Sequence, residues 1–114
     1  MPAHQHANGG GWVAETALVD VSAFVGPDAR VFGDAEVFGD AWVSDNAVVS
    51  DHAVVSGTVR VFGNAAVSGT AWVAGHARVS DNARVFGDAE VSGAARVSGD
   101  ARVSGDAVVS PENV

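Results

Sequence analysis

A chain of 114 residues is one domain's worth and leaves no room for a second. It has no Cys, which excludes disulfides, zinc thiolates and thiol catalysis, and its 14 acidic residues against six Arg and no Lys disfavour nucleic acid as a partner. Apolar residues make up 47% of the chain but are mostly Val and Ala, with one Leu and no Ile. That is a thin core for a two-layer globule, whereas a solenoid buries its narrow interior coil by coil.

Residues 1–11, with His4, His6 and three successive glycines at 9–11, read as a flexible leader. Trp12 is expected to lie as a lid on the first coil of a β-helix domain spanning 12–114. No apolar run is long enough to span a membrane and no signal-peptide stretch precedes the domain, so a cytoplasmic location is expected. His4 and His6 lie in the leader and give only a loose metal signal, so no metal site is expected.

From Val13 onward the chain is periodic. Val recurs every six residues through Val109, seventeen times without an insertion. Four residues after each Val stands Ala, except at Val59 and Asn113. Each hexad reads Val, then mostly Ser or Phe, then Gly or Asp, then a short polar residue, then Ala, then a variable residue. Ala and the next Val are two apart, so on a strand they share one face, the interior. The variable residue between them and the residue after Val point outward. Gly or Asp followed by a short polar residue supplies a corner where positive φ is cheapest. Each hexad is therefore one short strand and one tight turn.

The size of a coil follows from longer-range repeats. The octapeptide at 29–36 recurs at 83–90, three times eighteen residues away. Asn46, Asn64 and Asn82 fall eighteen apart, as do Arg60, Arg78 and Arg96. Phe38, Phe62 and Phe86 fall 24 apart, which a four-sided coil would stack. At the far end Ser110, Pro111, Glu112, Asn113 and Val114 carry no closing helix, and Pro111 blunts the strand edge slightly. So bare an edge points to a partner or to end-to-end stacking.

The hexads from Val13 to Val109 resemble the hexapeptide-repeat family of parallel β-helices, the trimeric acyltransferase-like superfamily. Here Gly comes one place later than is usual, as in Val31, Phe32, Gly33, Asp34, Ala35, a variant associated with uncharacterised bacterial and phage members. The resemblance implies an all-β fold, a single-stranded left-handed parallel β-helix with three hexads per coil and five to six coils. It breaks the tie in favour of three sides.

Grouping the outward residues at eighteen gives three faces. The first carries Phe24, Trp42, Arg60, Arg78 and Arg96, with Phe62 beside Arg60. The second carries Trp12, Arg30, Val48, Ala66, Arg84 and Arg102, with Phe32 and Phe86. The third carries Leu18, Glu36, Val54, Trp72, Glu90 and Val108, with Phe38. All eight aromatic rings thus point outward, and large outward apolar patches mark interaction sites. Phe24, Trp42, Arg60, Phe62, Arg78, Arg96 and Trp72 are the expected interface residues. Stacked Arg side chains repel unless anions or carboxylates lie between them. The Asn46, Asn64 and Asn82 column reads as a structural amide ladder.

Acyl transfer in the resembled family implies a catalytic His at a cleft between subunits, with acyl-coenzyme A along the wall. The candidates are His52 and His76, both at corners and 24 apart, hence on different corners of a three-sided coil. No excursion loop interrupts the hexads. Corner His in place of Asp or Asn is the simpler reading. The sequence therefore favours a non-catalytic structural module without a cofactor, a homo-oligomer with a trimer favoured, and no membrane or nucleic-acid partner. The alternative is a minimal acyltransferase-like enzyme using acyl-coenzyme A.

Overall fold

The structure, a computed structural model, describes residues 3–109. The segment Ser110 to Val114, with the bare edge and Pro111 considered above, lies outside the described residues, as do Met1 and Pro2. Eighteen strands follow one another in chain order: β1 (Ala3–Gln5), β2 (Trp12–Ala14), β3 (Leu18–Val19), β4 (Phe24–Val25), β5 (Arg30–Val31) and β6 (Glu36–Val37). Next come β7 (Trp42–Val43), β8 (Val48–Val49), β9 (Val54–Val55), β10 (Arg60–Val61), β11 (Ala66–Val67) and β12 (Trp72–Val73). The series ends with β13 (Arg78–Val79), β14 (Arg84–Val85), β15 (Glu90–Val91), β16 (Arg96–Val97), β17 (Arg102–Val103) and β18 (Val108–Val109).

From β2 to β15 every strand pairs in parallel with the strand three later, one turn of eighteen residues on. Three sheets result: β4-β7-β10-β13-β16, β1-β2-β5-β8-β11-β14-β17 and β3-β6-β9-β12-β15-β18. These are the first, second and third faces of the sequence analysis, in register: Arg60 lies opposite Trp42 and Arg78, and Trp72 opposite Val54 and Glu90. The three-sided coil is correct, and the 24-residue spacing of Phe38, Phe62 and Phe86 does not stack them.

The interior is the Val and Ala column of each hexad, at most 1% exposed from Val25 and Ala29 to Val91 and Ala89. Hydrogen bonds join coil to coil, as from Arg30 N to Ala47 O at 3.1 Å, Phe32 N to Val49 O at 3.0 Å and Asp34 N to Asp51 O at 2.8 Å. Strands of two residues would be worthless singly; stacked in parallel they satisfy their backbone groups against neighbouring coils. The corners turn where Gly or Asp takes positive φ, as at Gly33 (φ 68°) and Asp51 (φ 62°). Ala47 N closes such a turn onto Ser44 O at 3.2 Å.

The start of the chain differs from the flexible leader expected over 1–11. β1 pairs antiparallel with β2, placing His4 opposite Val13 and Gln5 opposite Trp12. The intervening turn also pairs with β4, through Val25 N to Asn8 O at 3.0 Å and Gly11 N to Val25 O at 2.8 Å. His6, 6% exposed, sets its Nε2 2.8 Å from Ala23 O. The hairpin rather than Trp12 lies over the first coil, and Trp12 faces outward, about half exposed. The physical reason is that edge strands offer unpaired backbone groups, and this hairpin supplies partners for β2 and β4.

Candidate functional site

The first face gathers most of the expected interface. Phe24, Trp42, Arg60, Arg78 and Arg96 stand opposite one another on successive coils because each occupies the variable place before Val. Phe24 and Trp42 stack with ring centroids 4.2 Å apart and planes 24° from parallel, an arrangement that the ring quadrupoles favour when offset. Trp42 remains 48% exposed. One coil further, Arg60 and Phe62 join Trp42 and Ser44 around a shallow groove of about 300 Å³. Trp72 does not join this group: it stands on the third face, 56% exposed.

Among the described residues the ion pairs are His4 with Glu15 at 2.8 Å and His52 with Asp34 at 3.6 Å. None of the six Arg is therefore ion-paired with a carboxylate among the described residues. Arg side chains occupy mid-strand positions whereas most carboxylates sit at the corners, and the coil geometry holds the two apart. No corner Asp among the described residues is within ion-pair distance of an Arg.

The corners use their polar groups on one another. Asn46 Nδ2 donates to Asn64 Oδ1 at 3.4 Å and Asn64 Nδ2 to Asn82 Oδ1 at 3.3 Å. The amide ladder extends one coil further than the sequence suggested, from Asn82 Nδ2 to Asp100 Oδ1 at 3.3 Å. The two candidate catalytic imidazoles lie on different corners. His52 Nδ1 faces Asp34, both side chains being about two-thirds exposed, and His76 Nδ1 is hydrogen-bonded with the Thr58 hydroxyl. An Asp beside a His is a pairing that can orient a general base. Yet His52 lines neither of the two grooves described on these faces. His4 and His6 face Glu15 and the Ala23 carbonyl, and among the described residues no group of three or more His, Asp or Glu could hold a metal ion.

The sequence reading missed two features. One is the stacking of the Phe24 and Trp42 rings: a spacing of eighteen residues places them on one face but does not fix their contact. The other is a second groove, of about 350 Å³, on the second face, where Asn64, Ala66, Ser68, Arg84 and Phe86 meet.

The parallel coils, the Val and Ala interior and the corner turns define an all-β solenoid repeat protein. Residues 77–93 and 95–110 match the YdcK beta solenoid repeat, so that portion of the chain is similar to that family. No curated protein and no solved structure matches the chain. No helix among the described residues is long and apolar enough to cross a membrane.

Proposed function

We propose that this chain is a non-catalytic structural module, a rigid β-solenoid that self-associates through its outward aromatic and Arg positions as a closed trimer. The observation that carries this reading is the Phe24–Trp42 stack, with Trp42 exposed and Phe24 half-buried, continued on the same face by Arg60, Phe62, Arg78 and Arg96. Aromatic residues and Arg are the types enriched at protein interfaces, and a stacked pair left half in water gains by exclusion from it. Arg columns without internal carboxylates add charge that a second copy, with net charge −8 and acidic corners, complements. A cytoplasmic location and the left-handed wind implied by the family resemblance belong to the same reading.

Light scattering over a hundredfold range of concentration tests it. The expected result is a mass of three chains throughout, shifting to one chain on Trp42→Ala with Phe62→Ala. A single-chain mass at every concentration would overturn it, and a mass that grows without limit would point to end stacking.

A second reading is favoured by the His52–Asp34 pair: an acyl-coenzyme A-dependent transferase with His52, or His76, as base at a subunit boundary. Binding of acetyl-coenzyme A that is lost on His52→Ala would support it. No binding at millimolar ligand would remove it.

A further inference from the structure

The second face carries a notch. Along its column of outward residues Val48, Ala66, Arg84 and Arg102 lie opposite one another on successive coils. Ala66 is the smallest of the four, and the space above it opens the groove of about 350 Å³ lined by Asn64, Ala66, Ser68, Arg84 and Phe86. Arg84 borders this space, with Arg102 one coil beyond, and neither is ion-paired with a carboxylate among the described residues. The Phe86 ring is 37% exposed. Asn64 already donates to Asn82 and accepts from Asn46, and its carbonyl oxygen retains a second lone pair. Ser68 adds a hydroxyl.

The same arrangement occurs on the first face, where Ser44 lies one coil before Phe62 and Trp42 one coil before Arg60. There the indole of Trp42 stands at the position that Ala66 holds on the second face. The two grooves thus share an Arg, a Phe two residues later and a Ser one coil before it, and differ in what lies one coil before the Arg: an indole wall in the first, a methyl group in the second.

We infer that the second-face groove is a binding site for an acidic sugar, taken singly or as a unit of a carboxylated polysaccharide. The carboxylate would lie on Arg84, a charge-assisted bidentate pairing. The sugar ring would pack over Ala66 against Phe86, and its hydroxyls would meet Ser68 and the Asn64 carbonyl. A simple acidic side chain would use the Arg alone and leave the ring and the hydroxyl groups idle. A polymer running along the face would place its next carboxylate near Arg102. None of these residues lies on the first face, whose aromatic stack carries the assembly proposal, so the two proposals rest on different observations.

The test is a two-dimensional NMR titration of the full chain with galacturonate, polygalacturonate, galactose and a single-stranded oligothymidylate. The expected result is saturable movement of the Arg84 Nε–H and Phe86 backbone signals with both acidic sugars, and none with galactose or the oligonucleotide. Arg84→Gln should weaken binding about tenfold. Arg102→Gln should weaken the polymer and leave the single sugar unchanged, which separates the two sources. Ala66→Leu, an outward substitution that fills the notch, should abolish movement while leaving signals of other coils in place. Should that variant disturb the fold, Arg84→Gln decides alone. Equal movement at all six Arg, an equal response to the oligonucleotide, unaltered binding by Arg84→Gln, or no movement at millimolar sugar would overturn the inference. Solution mass measured on the same samples shows whether assembly has failed separately.

Discussion

Asp45, Asp51 and Asp81 occupy corner places where other hexads have Gly, and they adopt the same positive φ, between 57° and 62°. An L-residue held there is strained, but each carboxylate recovers part of the cost by accepting from a Gly N–H on the next coil. The bonds run from Gly63 N to Asp45 Oδ2 at 3.1 Å, from Gly69 N to Asp51 Oδ2 at 3.1 Å and from Gly99 N to Asp81 Oδ2 at 3.0 Å. Gly at these corners answers two demands, and they can be separated. At Gly33 (φ 68°) a Cβ would come 2.9 Å from Asp51 N, whereas at Gly99 (φ 64°) it would meet nothing. Gly99→Ala should cost only the left-handed penalty, about 1–2 kcal/mol. Gly33→Ala should cost visibly more, because the neighbouring coil must also shift. Chemical denaturation of the two variants side by side checks this, and equal losses would mean that coil spacing tolerates a methyl group at the corner.

At the scale of the element, the hairpin of β1 and β2 is the one departure from parallel coils among the described residues. Gly11 is buried, and any side chain there would run into the backbone of Gly26 and the side chain of Val25. Gly10, by contrast, has open space around its missing Cβ and demands only positive φ. Gly11→Val should therefore lift the hairpin from β4, speeding amide exchange over residues 12–25 while residues 60–90 stay protected; Gly10→Ala should do far less. Exchange spreading through the whole solenoid would show that the hairpin holds more than the first coil. These elements also mark what the sequence could reveal. Strands β2 to β18 were legible because Val at every sixth place fixes both register and face, and the faces then place Trp42, Arg60 and Arg78 together. The hairpin was not legible. β1 is three residues long and carries no period, and three glycines in a row signal a loose leader as readily as a close approach. His6 is buried by a backbone carbonyl, Ala23 O, which leaves no mark in a side-chain pattern. The Ala66 notch was hidden for a related reason: a missing side chain in an outward column reads as a bland residue until its neighbours Arg84 and Phe86 are placed around it.

For the whole molecule, 38 × 22 × 20 Å in extent, each coil touches only the coil before and the coil after. Stability in such a stack is a sum of coil terms and neighbour terms, so position along the axis governs how far damage travels. Val67 lies mid-stack without solvent contact, in β11 between β8 and β14, whereas Val103 is 8% exposed in β17, the last strand of its sheet. An Asp at either place introduces a carboxylate into a column of Val and Ala that offers no partner. An uncompensated buried charge costs about 3–5 kcal/mol, a large share of a small domain's total. At Val67 it severs coupling between two halves, neither of which has many coils, so Val67→Asp should abolish the cooperative thermal transition. At Val103 the last described coil can open and hydrate the charge, so Val103→Asp should fray that coil and lower the midpoint only slightly. Thermal unfolding followed by circular dichroism, with amide exchange to locate the opening, distinguishes these outcomes. If Val67→Asp kept a wild-type transition, the inward assignment of the Val column would be wrong. If Val103→Asp abolished the transition as fully as Val67→Asp, coupling along the axis would have to reach beyond nearest neighbours.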